Sequence, residues 1–432
     1  GMGKPCVCGC EDVRIDLEQK RFTAGGRVIA EGDTISIDGS TGRVMAGTVP
    51  LREPQITDEL AQLLSWADDI RGLQVLANAD NPADAKKARE FGAEGIGLCR
   101  TEHMFMSADR VPVVQAMILA ESEEERRLAL DRLLPMQEED FAGIFRAMDG
   151  LPVIIRLLDP PLHEFLPNLE ELNKRHLTLT LSGQGNTAEC RETDRLLRKV
   201  RQLHEANPMM GLRGCRLGIV HPEIYEMQAR AIFLAAVRCA KEGIRVLPSV
   251  MIPLVGHAAE LKMMRELVDR VAAKVFAAEG LTVSYRVGTM IEVPRAAITA
   301  DQIARHADFF SYGTNDLTQM TLGYSRDDAE GKFLNAYAER KILPSNPFRT
   351  IDADGVGALI RWAVEKSGAV NRNLKHGVCG EHGGDKESIF FCQSAGLDYV
   401  SCSPYRVPLA RIAAAQAKLA QARAQAKPAA VG

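Results

Sequence analysis

Beyond residue 70 the chain alternates between two hydrophobic patterns. Short, continuous apolar runs are typical of buried strands, and longer stretches with apolar residues three and four positions apart are typical of helices. Their alternation predicts βα units and a parallel sheet. The predicted strands are residues 73–79, 95–99, 153–158, 215–220, 246–252, 285–292, 309–313 and 376–380.

Helical patterns lie between these runs. Eight strands over roughly 310 residues predict an α/β fold, a (β/α)₈ TIM barrel with insertions. The insertion at 160–212 contains a charged helical stretch near 189–205, and the tail 412–426 is helical by propensity. The other predicted helices are residues 123–134, 222–241, 257–278, 295–306 and 355–367.

The first fifty residues have a different pattern. Short β-type runs are separated by glycine-containing turns, and Pro50 and Pro54 then mark a linker. We therefore divide the chain into a β-rich segment at 1–50, a linker at 51–70 and the barrel at 71–432.

Composition removes several classes of function. The 432 residues carry a net charge of -4, which gives no basic surface for nucleic acid or an acidic membrane. No apolar run is long enough to span a bilayer. The ten cysteines lie mostly in apolar contexts, which predicts reduced thiols and a cytoplasmic location. The run Cys6, Cys8, Cys10 does not have the usual zinc spacing and is interpreted as part of the β-rich segment.

Polar side chains follow the predicted strands at their carboxyl ends, where (β/α)₈ barrels have their active sites. This concentration at one edge of the barrel indicates an enzyme. The residues are Asn78, Asp80, Arg100, Arg156, Glu292, Asn315, Asp316, Cys379, Glu381 and His382.

Glu292 and Asp316 are candidate metal ligands. Each ends an apolar run, and Mg²⁺ prefers one or two protein carboxylates together with substrate oxygens. The alternative is a structural ion pair with Arg295 or Arg100. The run Gly313, Thr314 and Asn315 favours a site, because glycine allows close approach of the backbone and the other two offer hydrogen bonds.

Arg100 and Arg156 are candidate anion-binding residues. A guanidinium at a strand end suits a phosphate or a carboxylate, although either arginine could instead pair with Glu102 or Asp159. Two arginines beside two metal-type carboxylates favour a phosphorylated ligand.

Cys379 ends the last predicted strand. Its thiol could be a nucleophile, a proton donor or an inert core group, and the residue chemistry alone favours the inert reading. His382 could tune that thiol or make only structural hydrogen bonds. Neither a phosphate-binding P-loop nor a dinucleotide fingerprint is visible.

Several motifs resemble the phosphoenolpyruvate (PEP)-utilising enzymes. The first motifs are residues 95–105 (GIGLCRTEHMF), 288–293 (GTMIEV) and 311–318 (SYGTNDLT). Residues 156–167, 213–217, 379–385 and 399–404 narrow the resemblance to one branch of the family. PEP synthase and enzyme I of the sugar phosphotransferase system are similar only at the first motifs.

The resemblance implies a reaction in which ATP, phosphate and pyruvate interconvert with AMP, pyrophosphate and PEP. A histidine on a swivelling domain would carry the phosphoryl group. Arg100 and Arg156 would hold that group, and Glu292 and Asp316 would bind Mg²⁺. Substrate contacts would come from Glu292, Gly313, Thr314, Asn315 and Asp316, and Cys379 would move the proton at the methyl carbon. One departure is Leu212, where the resemblance leads us to expect histidine.

The resemblance also implies what this chain lacks. Residues 1–50 would be the remnant of the swivelling phosphohistidine domain without its carrier histidine, and the nucleotide-binding segment would be missing. The chain would then bind pyruvate, PEP and Mg²⁺, and pair as a homodimer, without completing the cycle alone. Two alternatives remain: a PEP synthase-like barrel, and a binding or dimerisation module without catalysis.

Overall fold

Eight parallel strands close into a barrel in the computed structural model of the chain, which describes residues 7, 10, 13–39, 41–50 and 57–426. Around the barrel each strand pairs with two neighbours, in the order β10-β11-β12-β13-β6-β7-β8-β9. The strands of the barrel are β6 (Gln74–Asn78), β7 (Ile96–Arg100), β8 (Pro152–Arg156), β9 (Leu247–Ile252), β10 (Arg286–Ile291), β11 (Phe309–Tyr312), β12 (Lys375–Val378) and β13 (Tyr399–Cys402). The predicted (β/α)₈ barrel is confirmed.

The N-terminal segment forms small antiparallel sheets. One sheet has the order β1-β2-β3 and the other pairs β4 with β5. Their bounds are β1 (Arg14–Asp16), β2 (Arg21–Ala24), β3 (Arg27–Ala30), β4 (Ile35–Asp38) and β5 (Arg43–Ala46).

Helices form the outer layer of the barrel and its insertions. Several begin with a side-chain cap, such as Thr57 on the first helix and Ser122 on the fourth, which satisfies an orphan first-turn amide. The helices are α1 (Asp58–Ile70), α2 (Pro82–Glu90), α3 (Val111–Leu119), α4 (Glu123–Ala147), α5 (Leu169–Leu181), α6 (Ala188–Leu203), α7 (Gly214–Val220), α8 (Pro222–Lys241), α9 (Ala258–Glu279), α10 (Pro294–Ile298), α11 (Ala300–Ile303), α12 (Thr314–Leu322), α13 (Arg326–Lys332), α14 (Leu334–Glu339), α15 (Val356–Val370), α16 (Lys386–Ser394) and α17 (Val407–Ala426).

The prediction of a strand at 215–220 was wrong. This segment is α7, and Gly214 at its start has φ +57°, a left-handed conformation that a strand does not contain. A short apolar run cannot distinguish a strand from a buried helix by its pattern alone. The strand that completes the barrel is β13, a run of four residues that pairs with β12 and β6.

One helical prediction also needs correction. The predicted helix at 295–306 is divided into α10, α11 and a 3₁₀ turn at Ala304–His306, with the break at Thr299. The segment 51–70, predicted as a linker, includes α1, which packs against α17. Residues 51–56 lie outside the described residues, and the division of the chain into three parts stays a prediction.

One hydrophobic cluster takes a side chain from each strand of the barrel or from the residue that follows it. Such side chains pack the barrel interior, and the charged groups described below lie at its mouth. The residues of the cluster are Leu76, Leu98, Ile154, Met251, Met290, Phe309, Cys379 and Tyr399.

Candidate functional site at the mouth of the barrel

A chain of alternating charges crosses the mouth of the barrel. Arg156, at the end of β8, pairs with Glu102 and with Asp159, whose Oδ2 lies 2.9 Å from Arg156 Nη1. Arg213 continues the chain: its Nη2 lies 2.6 Å from Asp159 Oδ2, and its Nη1 lies 3.0 Å from Asp316 Oδ1. The contacts bring together the end of β8, the residue before α7 and the first turn of α12, which are far apart in sequence.

Glu292 is fully buried beside this chain. Its Oε1 accepts a hydrogen bond from the Leu254 amide at 2.6 Å, whereas its Oε2 bonds none of the described residues. Burial, together with the charges of Asp316 and Asp159, raises the pKa of Glu292 well above its usual value. The predicted alternative partner, Arg295, donates instead to the Gly256 carbonyl oxygen at 2.5 Å.

Gly313 leaves the space beside the free oxygen of Glu292 open. A Cβ at this position would lie 2.6 Å from Glu292 Oε2 and 2.7 Å from Met290 Sδ. Such contacts are too close for any other residue without a shift of its surroundings. The glycine therefore preserves room at the carboxylate for a third group.

The inner site has an excess of acidic groups. Four carboxyl groups face two guanidinium groups there, and the raised pKa of Glu292 means that this carboxyl is ionised most readily when a cation lies beside it. The attraction of Arg156 and Arg213 outweighs burial and lowers the pKa of Asp159, which therefore stays ionised. A buried excess of this kind is costly unless a cation offsets it. The carboxylates are Glu102, Asp159, Glu292 and Asp316.

Arg100 ends β7 at the rim of the site, 36% exposed in its side chain. It pairs with Asp80, whose Oδ2 accepts from Arg100 Nη2 at 2.8 Å. The alternative partner predicted from sequence, Glu102, instead contacts Arg156. Arg100 and Arg156 thus lie at the ends of the adjacent strands β7 and β8.

Some of the polar groups in the turn between β11 and α12 already make hydrogen bonds within the protein. The Thr314 hydroxyl donates to His382 Nδ1 at 2.7 Å, because His382 Nε2 donates to the Pro347 carbonyl oxygen. Asn315 Oδ1 accepts from the Glu381 amide at 3.3 Å, which leaves the Asn315 amide nitrogen as a donor. His382 contacts Thr314, and the expectation that it tunes the Cys379 thiol gains no contact in its support.

The Cys379 thiol faces the barrel interior and is 2% exposed. Burial raises the pKa of Cys379 to about 11, and the nearby Ser311 hydroxyl and the Arg156 charge act in the opposite direction. The buried hydroxyls of Ser311 and Tyr399 bond none of the described residues. The thiol is therefore protonated near neutral pH, and it donates a weak hydrogen bond to the Tyr312 carbonyl oxygen at 3.8 Å.

Two cavities open at this end of the barrel. One, of about 650 Å³, is lined by Arg100, Asp80 and Gly380. The other, of about 810 Å³, is lined by Asp316, Arg213 and Asn315. The candidate residues therefore divide between two accessible openings and a buried centre.

Sequence reasoning missed several polar residues in and around this arrangement. Arg213 and Asp159 both lie within the motifs that carried the family resemblance, but strand-end position gave neither of them a role. Ser311 and Tyr399 face the barrel interior, where an apolar pattern conceals single hydroxyls. The signal for Arg213 was its place in the RGCR stretch at 213–216.

Metal-binding clusters of the common type are absent from the described part of the chain. No group of three or more His, Cys, Asp or Glu side chains in it could hold a metal ion. Glu292 and Asp316 make a smaller, two-carboxylate arrangement. Of the cysteine run near the N-terminus, Cys6 and Cys8 lie outside the described residues, and Cys10 is free and exposed.

Comparison with known families decides the membership of this chain. The family described as "PEP-utilising enzyme, PEP-binding domain" matches residues 55–419, which includes the whole barrel. The chain belongs to the PEP-utilising enzymes.

Relatives within the PEP-utilising enzymes narrow the similarity further. The chain is 56% identical to a chloroplastic pyruvate, phosphate dikinase of Mesembryanthemum crystallinum over 96% of its own length. It is 55% identical to pyruvate, phosphate dikinase 1 of Arabidopsis thaliana over 97% and 54% identical to pyruvate, phosphate dikinase 2 of Zea mays over 96%. The chain spans 43% of the first two relatives and 46% of the third, and it corresponds to their C-terminal part.

The comparison with solved structures adds nothing to the assignment of this PEP-utilising enzyme. A citrate lyase of Burkholderia xenovorans matches 47% of the chain and 61% of its own, with 15% identity and a TM-score of 0.29, which supports no argument. Among the described residues, no helix is both long and apolar enough to cross a membrane.

Proposed function

We propose that this chain binds pyruvate and PEP at the barrel mouth and carries the pyruvate half of a pyruvate, phosphate dikinase reaction. In that half, a phosphoryl group passes between a phosphohistidine and the enolate of pyruvate, with Mg²⁺ as cofactor. The identity of about 55% to dikinases supports the reaction class. The observation that carries the proposal is Glu292, buried with one free oxygen beside Asp316.

The donor set fits Mg²⁺. Glu292 and Asp316 would hold the ion, because hard oxygen ligands and a carboxylate pair suit it. The free oxygen of Glu292, the space preserved by Gly313 and the excess of acidic groups over guanidinium groups all favour a dication at this point. When bound, Mg²⁺ would supply positive charge that stabilises the developing enolate oxygen.

The two strand-end arginines would hold the phosphoryl group. Arg156 is anchored by Glu102 and Asp159, so that its guanidinium is oriented before a ligand arrives. Arg100 lies on the adjacent strand and reaches the open cavity. Oriented donors of this kind stabilise charge without reorganising during the reaction.

The start of α12 would bind the substrate. The Thr314 hydroxyl is committed to His382, so this residue would contribute its backbone amide, which is one of the orphan first-turn amides of α12. Gly380 permits this approach, because a Cβ there would lie 2.2 Å from Thr314 Oγ1. The Asn315 side-chain nitrogen adds a further donor.

Cys379 would move the proton at the substrate carbon. With a pKa near 11 the thiol carries its proton at neutral pH, which suits donation to the enolate carbon when pyruvate forms. In the opposite direction the thiolate would remove a methyl proton.

Exchange of the pyruvate methyl protons into D₂O tests the proposal. The purified chain with Mg²⁺ should exchange them, and Cys379→Ala should lower the rate at least about a hundredfold, the usual scale of acid–base catalysis. Cys392→Ala, a buried core thiol on α16, is the matched control and should retain the rate. Pyruvate binding without exchange would instead favour a binding module.

The proposal also includes expectations about the full reaction cycle, the oligomeric state and the location of the protein. The full cycle, including ATP and phosphate, is attributed by analogy to the relatives, and use of water instead of phosphate would indicate a PEP synthase. A homodimer is expected from the family, and sedimentation analysis measures it. The cytoplasmic location stays a prediction.

A further inference from the structure

We propose that Asp80 and His103 are positioning residues, which orient the Arg100 guanidinium for the phosphoryl group of PEP. The inference rests on the function proposed above, in which Arg100 holds that group. Arg100 lies at the rim of an open cavity, where an unrestrained side chain would adopt many conformations, so another group must hold its orientation.

Asp80 fixes Arg100 at both its backbone and its side chain. Asp80 Oδ1 accepts from the Arg100 amide at 2.7 Å, and Oδ2 accepts from Nε at 3.1 Å and from Nη2 at 2.8 Å. The Asp80 side chain is only 10% exposed, whereas Arg100 is 36% exposed. A buried carboxylate thus holds one edge of a more exposed guanidinium.

His103 holds the carboxylate in turn. Its Nδ1 lies 2.7 Å from Asp80 Oδ2, and because a carboxylate only accepts, Nδ1 carries the hydrogen. Burial opposes ionisation of Asp80, but the His103 hydrogen bond and the Arg100 charge outweigh it and lower the pKa of Asp80. The carboxylate therefore stays charged and bonded on both sides.

This arrangement leaves one edge of Arg100 for a ligand. Nε and one side of Nη2 are occupied, and in the described part of the chain nothing bonds Nη1. The residue lines the cavity of about 650 Å³ together with Asp80 and His103. Two parallel N–H groups on the free edge match the oxygens of a phosphoryl group.

Orientation and simple charge predict opposite results. If only the field mattered, removal of the Asp80 charge would strengthen the binding of an anion. If orientation matters, the same change weakens PEP binding. Pyruvate has no phosphoryl group, so its binding should not respond.

Titration calorimetry with Mg²⁺ present separates the two. Asp80→Asn replaces an acceptor oxygen with an amide, and we expect the Kd for PEP to rise about tenfold, as for loss of a charged hydrogen-bonded pair. The Kd for pyruvate should change less than about twofold, because pyruvate does not use this edge. Asp84→Asn is the charge-matched control, because Asp84 lines the same cavity but bonds Asn81. The Kd values of this variant for PEP and for pyruvate should equal those of the wild type.

His103 provides a second pair of variants. His103→Ala should weaken PEP binding selectively, and His103→Asn, which retains a donor, should restore most of it. These two decide the question if Asp80→Asn does not fold. Tighter PEP binding by Asp80→Asn, or equal weakening of PEP and pyruvate, would overturn the inference.

An Arg100→Lys variant distinguishes failure of this inference from failure of the proposed function. If the wild-type chain does not bind PEP, or if Arg100→Lys binds it as well as the wild type, the proposed function and the inference both fail. If Arg100→Lys loses PEP but the Asp80 and His103 variants retain it, only the inference fails.

Discussion

At the scale of single residues, the site depends on oxygen atoms that are left without partners. Glu292 Oε2 and the hydroxyls of Ser311 and Tyr399 are buried without hydrogen bonds to the described residues. Buried polar groups normally find partners, because an unpaired one costs roughly 1–3 kcal/mol. A cation or substrate at the barrel mouth would supply the partner that Glu292 Oε2 lacks.

Gly313 offers a direct test at this scale. Gly313→Ala would place a methyl group 2.6 Å from Glu292 Oε2, where the metal and substrate are proposed to enter. We expect pyruvate binding in the presence of Mg²⁺ to weaken at least about tenfold, because the methyl group would occupy the space that the bound metal and substrate need; overpacking has energetic costs on this scale. Titration calorimetry measures it.

Gly331→Ala is the control for this substitution. Gly331 lies in α13 with open space around its Cβ position, so its replacement should leave binding unchanged and stabilise the helix slightly. Unchanged pyruvate binding by Gly313→Ala would contradict the assigned role of this glycine.

At the scale of elements, α1 and α17 are joined by a cluster of ion pairs. Asp68 Oδ2 lies 2.5 Å from Arg411 Nη2, and Asp68 Oδ1 lies 2.7 Å from Arg71 Nε. Burial would raise the pKa of Asp68, but the hydrogen bonds from Arg411 and Arg71 outweigh it and lower the pKa. The cluster therefore stabilises the folded state while Asp68 is ionised.

Asp68→Asn should lower the free energy of unfolding by about 1 kcal/mol, a value discounted for the partial exposure of the pairs. A lowered pKa means that this contribution is complete above the unfolded-state pKa of about 3.9 and is lost as the pH falls below it. Urea unfolding at pH 7, 5 and 3.5 measures the difference, which should be present at the first two values and shrink at the third.

Asp69→Asn is the neighbouring control for this prediction. Asp69 is exposed and has no recorded ion pair or hydrogen bond among the described residues, so its replacement should have little effect at any pH. Equal effects of the two substitutions would show that the Asp68 cluster does not stabilise the contact between α1 and α17.

The elements show where sequence reasoning succeeds and fails. Seven of the eight strands were predicted because continuous apolar runs mark buried parallel strands. The run at 215–220 has the same apolar character but forms α7, which begins at Gly214 with its positive φ. β13 was missed although it has the same length as β11 and β12, which were predicted; each of these strands has four residues.

The site divides in the same way. The common location of Glu292, Asp316, Arg100 and Arg156 could be predicted because strand ends meet at one edge of a barrel; their roles stay a prediction. The pairing of Arg213 with Asp316 spans 103 positions in sequence and depends on tertiary packing. Local patterns contain no information about such a contact.

At the scale of the whole molecule, the closed barrel and the site lie within residues 57–426. We therefore predict that a chain beginning at residue 57 folds and retains pyruvate binding, since each barrel strand keeps both neighbours. Thermal unfolding and calorimetric titration of residues 57–432 beside the full chain measure this. Loss of cooperative unfolding would contradict the proposed independence of the barrel.

The central claim is that Glu292 and Asp316 bind a divalent cation together with the substrate. Titration of Mn²⁺, monitored by electron paramagnetic resonance with and without oxalate as a pyruvate analogue, tests it most directly. We predict one site per chain that oxalate tightens, and at least about a tenfold loss of affinity in Glu292→Gln, since one of the few carboxylate ligands is neutralised. Glu381→Gln, at the exposed rim, should bind as the wild type does. Equal Mn²⁺ binding by Glu292→Gln and the wild-type chain would contradict the account.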